Sequence, residues 1–279
     1  MSQAEEAPLR MIRLPLETRR LHSLWQRRRL LPHRFDAGYL VHCLLGELFQ
    51  DIAPRPFSLP PEAPPHGASQ TAARQRPVTL PVLAYSRYPL AALEEHARAF
   101  AEPSLYQAVL WRGTAEKPMP ESWPAGRRLG FALRACPVVR IGSGRPGRAD
   151  GGRGVEVDAF LARCWRAEDA RTAEQKASGF RPLVDRGAVY RDWLAEQLER
   201  RGGARLIQAD LARFQLEPLV RRTQGEQRKT RDGWRPDAHF HGLLEVTDED
   251  GFARLLAGGI GRHRAFGFGM LLLRPAGEA

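Results

Sequence analysis

Tyr39-Leu40-Val41-His42 sets a phenol and an imidazole three residues apart, so on a helix they share one face, one turn from each other. Imidazole titrates near neutrality and can exchange a proton with a ribose 2′-OH or a leaving 5′-oxygen. A neighbouring phenol can orient the nucleophile or donate to a phosphate. A second stretch with chemical potential is Gly258-Gly259-Ile260-Gly261-Arg262-His263-Arg264-Ala265-Phe266-Gly267-Phe268-Gly269, where five glycines alternate with cationic and aromatic residues. Glycines permit positive φ and close backbone approach, and successive amides in such turns form concave anion sites. Arg262 and Arg264 add fork-shaped donors suited to phosphate. A plain glycine C-cap explains Gly258 and Gly259 but not Gly261, Gly267 and Gly269. The third stretch, from Arg221 to Arg231, is a basic connection between two alternating segments. Arg221, Arg222, Arg228, Lys229 and Arg231 there could reach along an RNA backbone.

Other histidines offer less. His22 lies on a basic helix and His33 in the loop after it, and either is most simply a solvated surface residue. His239 and His241 alternate on one strand face with no third ligand at useful spacing for a metal. His66 and His96 carry no signal. No acidic cluster suited to Mg²⁺ is present, and neither metal nor cofactor is expected.

Among 279 residues there are 43 Lys and Arg against 32 Asp and Glu, a formal net charge of +11. That balance favours a polyanionic partner, nucleic acid ahead of a membrane surface. Only Lys117, Lys176 and Lys229 are lysines, so a GC-rich genome accounts for part of the arginine bias. Cys43, Cys136 and Cys164 are odd in number and lack metal spacing, as in reduced intracellular thiols. The N-terminus lacks a signal-peptide pattern, and no apolar run approaches the ~18 residues of a membrane span. A cytoplasmic location is expected, with no membrane partner.

The elements that must hold these residues are legible in outline. Met11 to Leu16 alternates as a strand whose Pro15 suggests an edge. Thr18 to Leu31 reads as a basic helix ended by Pro32. Asp36 is placed to cap a second helix through Phe49. Pro54 to Pro77 is a proline-rich surface loop. Val78 to Ala84, Tyr106 to Trp111 and Leu129 to Pro137 read as strands, with a helix over Leu90 to Phe100. Gly142 to Gly154 is a Gly/Arg-rich linker. Val155 to Trp165 and Val189 to Arg201 are amphipathic and read as helices. Leu206 to Val220 and Ala238 to Val246 alternate as paired strands. A helix over Glu249 to Leu256 then leads through the glycine loop to a strand at Met270 to Leu273.

The expected fold class is α+β, two tandem ferredoxin-like domains. Residues 1–141 would form the first with the Tyr-x-x-His helix, 142–188 a linker and amphipathic segment, and 189–279 the second with the glycine loop.

The order helix, glycine loop, strand is the reverse of a dinucleotide fingerprint. With its Arg-rich run and Phe266-Gly267-Phe268-Gly269 ending, it resembles the C-terminal signature of the CRISPR repeat-associated RNA-binding superfamily, closest to the CasE branch. Those nucleases carry a Tyr-x-x-His pair on the helix after the first strand. The likeness spans Leu206 to Pro275, Leu129 to Arg140 and Val189 to Arg201. Arg134 and Arg140 match a family stretch in outline, though this chain has Cys136 where the family pattern has asparagine.

The resemblance implies an endoribonuclease that cuts the CRISPR repeat hairpin without a metal, by attack of the 2′-OH on the adjacent phosphate. It leaves a 2′,3′-cyclic phosphate and a 5′-OH, and it keeps the product as a subunit of a Cascade-like complex with other subunits. His42 would transfer the proton and Tyr39 position an oxygen. Arg262, Arg264 and an arginine near Arg34 would neutralise charge. Gly259, Gly261, Gly267, Gly269 and Arg134 would join the RNA-binding surface with the basic connection. The competing reading is a non-catalytic RNA-binding subunit of an effector complex.

Overall fold

The computed structural model describes residues 7–27, 36–60, 79–142, 155–222 and 230–277. The greater part of the Gly/Arg-rich linker, residues 143–154, lies outside them, as do His33, Arg34, His66, Arg228 and Lys229.

The first unit follows from alternation. In β1 (Arg10–Glu17), Ile12, Leu14 and Leu16 are fully buried, and they meet Leu40, Val41, Leu44, Leu45 and Leu48 on α2 (Ala37–Phe49). A short α1 (Thr18–Arg27) precedes α2 and buries Leu21, Leu24 and Trp25. After α2 come β2 (Phe57–Ser58), β3 (Thr79–Ser86), α3 (Leu90–Phe100), α4 (Pro103–Tyr106) and β4 (Ala115–Pro118). The strands form one antiparallel sheet in the order β2-β3-β1-β4, the ferredoxin-like order.

Two expectations need correction here. β1 is an interior strand, not an edge. Its Pro15 is tolerated because it faces Pro81, and β4 pairs only with Arg10 to Arg13, so no ladder amide is asked of it. Tyr106 to Trp111 is no strand: it leaves α4, makes one bridge from Val109 to Leu16, and ends in a 3₁₀ turn at Trp111–Gly113.

The second unit contains β5 (Arg128–Ala135), β6 (Val138–Ile141), β7 (Val155–Asp158), α5 (Ala159–Asp169), α6 (Ala173–Ala177) and α7 (Arg186–Arg201). There follow β8 (Ala204–Arg222), β9 (Thr230–Val246), α8 (Glu249–Gly258) and β10 (Leu271–Pro275). Its sheet order is β10-β5-β9-β8, again ferredoxin-like. β5, expected to close the first half, instead stands between β9 and β10 as the first strand of the second unit. The fourth strand of the first unit is β4, whose residues are all exposed and carry no alternation to read. Val155 to Trp165 begins as β7, paired with β6, and becomes helical only after Asp158 caps Phe160.

α7 buries Val189, Tyr190, Trp193, Leu194 and Leu198 against this second sheet, and α8 adds Phe252, Leu255 and Leu256. Tyr85 on β3 lies within the second core, and its hydroxyl donates to the Leu271 carbonyl at 2.8 Å, joining the units. β8 and β9 pair along their length, with register shifts at Leu206/Gln208 and Leu211/Arg213, as one long arm. Among the described residues, no helix is long and apolar enough to cross a membrane.

Candidate functional site

Asp36 starts α2, accepting from the Tyr39 amide at 2.8 Å. This is the expected cap. It fixes the first turn, from which Tyr39 and His42 project along one half-buried flank. What they meet is the glycine loop. The Phe266 ring lies 4.9 Å from the His42 ring, tilted by 56°, and 6.3 Å from Tyr39, stacked within 14°. The backbones nearly touch: a Cβ on Gly38 would sit 2.2 Å from the Phe266 carbonyl oxygen. Two motifs more than two hundred residues apart thus become one surface.

The loop folds on itself tightly enough to hold Phe266 there. The Ile260 amide donates to the Gly269 carbonyl at 2.8 Å, and the Gly269 amide donates to the Arg134 carbonyl at 2.7 Å. Gly269 adopts φ +80°, and a Cβ there would lie 2.2 Å from the Ile260 oxygen, so only glycine closes this crossing. The Phe266 amide turns back to the His263 carbonyl at 2.8 Å, forming the 3₁₀ turn Arg264–Phe266. The expected anion nest is therefore corrected in part. The amides of Gly259, Ile260, Phe266 and Gly269 are spent inside the protein and build a scaffold.

The arginines are also spoken for. Arg262 Nε meets Glu156 Oε1 at 2.6 Å, while its side chain stays half-exposed. His263, buried, meets the other Glu156 oxygen at 3.0 Å. Arg264 donates to the Gly258 carbonyl at the end of α8, where cationic donors offset the carbonyl dipole. Burial, with Arg201 nearby, lowers its pKa. Arg264→Ala is accordingly expected to lower stability by ~1 kcal/mol, read as a fall in unfolding midpoint. Arg262→Ala should leave that midpoint nearly unchanged.

Arg134 departs furthest from expectation. Its guanidinium is 7% exposed, 2.6 Å from Glu217 and 2.9 Å from Asp237, and stacked 4.4 Å over Phe268. An arginine so enclosed is withdrawn from the phosphate contact expected of it. Cys136, where asparagine was expected, is buried beside Phe268, which pushes its thiol up to about 12. Arg221, Arg222 and Arg231 sit on the distal part of the β8–β9 arm. His239 Nε2 faces Asp237 at 3.3 Å, and with His241 it lines a separate cleft of about 560 Å³ between the two sheets. His22 is exposed on α1, 3.2 Å from Gln26.

Two residues at the site had no sequence signal. Arg55 and Gln50 line the same small cleft as His42, Phe57 and Ala265. Burial chiefly, then the Arg55 charge, lowers the His42 pKa below its ordinary 6.5. Gln50 caps α2 with φ +48°, a left-handed value that non-glycine residues adopt at some cost and that gathers at functional sites.

The helix bearing Tyr39 and His42 thus packs on the glycine loop within two tandem ferredoxin-like units. The family described as CRISPR associated protein matches residues 11–275, and the chain belongs to that family. Its fold is shared with a CRISPR endoribonuclease, Cse3, bound to 19-nucleotide RNA, at 20% identity and TM-score 0.54 over 96% of this chain and 100% of that one. It is shared as well with the CRISPR-associated protein Cas6e from Escherichia coli K-12, at 19% identity and TM-score 0.51 over 96% and 100%. No curated protein sequence matches.

Proposed function

We propose that this chain is an endoribonuclease that recognises and cuts the repeat hairpin of precursor CRISPR RNA, then remains bound to the product as a subunit of an effector complex. The observation that carries this reading is the contact of Phe266 with both Tyr39 and His42, a phenol and an imidazole beside the glycine loop. Family membership and the fold shared with an RNA-bound endoribonuclease support it.

The reaction is a metal-independent transesterification. His42, with its pKa held below 6.5, is neutral at pH 7 and accepts the 2′-OH proton. The O2′–P bond forms as the P–O5′ bond breaks, giving a 2′,3′-cyclic phosphate and a 5′-OH; the leaving oxygen takes a proton from water, and the His42 imidazolium returns its proton to solvent. Tyr39 orients an oxygen of the reacting group. Arg55, in the cleft with His42, takes the charge-neutralising role expected of Arg262 and Arg264. The distal arm, with Arg221, Arg222 and Arg231, grips the RNA backbone.

The test is direct. With protein in excess, a repeat hairpin should be cut at one position and bound more tightly than random single strands, with affinity falling steeply as salt rises. Tight, selective binding with no cutting would favour the non-catalytic subunit. Equal affinity for hairpin and random strand would remove specific recognition altogether.

A further inference from the structure

Asp36 does more than a helix cap requires. One oxygen suffices to cap, and serine, threonine or asparagine would serve. Here Asp36 is 1% exposed, and both its oxygens receive Arg235 Nη2, at 3.0 and 3.1 Å, while Oδ1 also takes the Tyr39 amide. Arg235 comes from β9, 199 positions away, and is 2% exposed. Its guanidinium lies 4.7 Å over Phe268 and 6.0 Å from Phe266, the ring that rests on His42. Its Nε and Nη1 are buried without hydrogen-bond partners among the described residues. Glu217, the cross-strand partner of Arg235 on β8, is 3.7 Å away.

A buried ion pair is a weak source of stability, since apolar packing does as well, and fixing one geometry is the better reason to keep it. The geometry fixed here is the angle at which α2 leaves its cap. His42 is six residues on, ~9 Å along the axis, so a small tilt at Asp36 displaces the imidazole. Farther out on the same two strands lie Arg221, Arg222 and Arg231.

We infer that Arg235, acting through Asp36, is a positioning residue for His42: the root of the β8–β9 arm clamps the first turn of the helix that carries the imidazole. The inference rests on the ribonuclease reading for its functional meaning, and joins the part of the chain that grips RNA to the part that cuts it.

The test uses the full chain with Asp36→Asn, Arg235→Gln and the double variant. Asparagine keeps the cap and removes the charge. Rate constants for the repeat hairpin are measured with protein saturating, and affinity is measured with a hairpin carrying a 2′-deoxy nucleotide at the cut. Each single variant should lower the rate ~10- to 100-fold, the scale of an ångström-level misplacement, with affinity within about threefold. The double should be no worse than the poorer single, because one pair is lost either way. Leu198→Ala, in the α7 core and away from the clamp, controls for instability and should keep the wild-type rate below its unfolding midpoint. Wild-type rates in both singles, losses that multiply in the double, or an equal loss in Leu198→Ala would overturn the inference.

If the wild-type chain cuts nothing, the ribonuclease reading fails, and the clamp is judged by amide exchange. Leu40 to Leu44 should then exchange at least about tenfold faster in Asp36→Asn and Arg235→Gln, with α7 unchanged. Unaltered exchange in α2 would overturn it.

Discussion

His42→Ala is expected to abolish cleavage of the repeat hairpin while leaving its affinity within about tenfold. Removing the imidazole takes away a proton acceptor but little surface, because His42 is half-buried and rests on Phe266. A positioned acid–base group contributes ~10²–10⁴-fold, so the loss should be plain in single-turnover rate constants. Tyr39→Phe should slow the reaction less, since water can replace one hydroxyl. Arg55→Ala should fall between them. The pH dependence follows from the direction of the His42 shift. With its pKa lowered by burial and Arg55, the neutral base persists to lower pH than for a solvated histidine. The acid limb of kcat/KM, which reports the free protein, should have its midpoint below 6.5. Wild-type cutting by His42→Ala with loss in His22→Ala or His33→Ala would move the active site elsewhere.

Gly38→Ala is expected to damage both stability and cleavage, against the usual sign. Alanine normally improves a helix by ~1 kcal/mol over glycine. At Gly38 the added methyl would lie 2.2 Å from the Phe266 carbonyl oxygen, backbone against which nothing flexible can yield. Overpacking costs ~1–3 kcal/mol, so the unfolding midpoint should fall rather than rise. Because relief requires α2 to part from the 3₁₀ turn, the cleavage rate should fall ~100-fold. A stabilised, fully active Gly38→Ala would mean that helix and loop are not in contact in solution.

The helix carrying Tyr39 and His42 is readable because its cap, apolar spacing and chemistry all lie within one short stretch. The glycine loop is readable as a special backbone, but its use is not. Sequence shows that Arg264 is basic, and not that its guanidinium ends on the Gly258 carbonyl. Arg134 looks like a strand-exit cation, because the carboxylates that enclose it, Glu217 and Asp237, arrive from far along the chain. There burial beside Asp237 pushes the Glu217 carboxyl up to about 7 against the pull of Arg134, while Asp237 is held well below the carboxylate range. Arg55 gives no signal because a proline-rich stretch has no periodicity to place a side chain. The domain reading slips at β5 for a related reason. An apolar strand does not announce which sheet it will enter. Exposed β4 shows no alternation, so sequence alone hands β5 to the first sheet, whereas it pairs with β9 and β10.

The reaction itself is tested most directly by the ends of the product. The purified chain is mixed with a repeat hairpin in EDTA, and the two fragments are weighed by mass spectrometry beside a hairpin with a 2′-deoxy nucleotide at the cut. Cutting in EDTA, an upstream fragment ending in a 2′,3′-cyclic phosphate, a downstream fragment with a 5′-OH, and an intact 2′-deoxy hairpin are the expected results. A 5′-phosphate, a requirement for Mg²⁺, or cutting of the 2′-deoxy hairpin would contradict them.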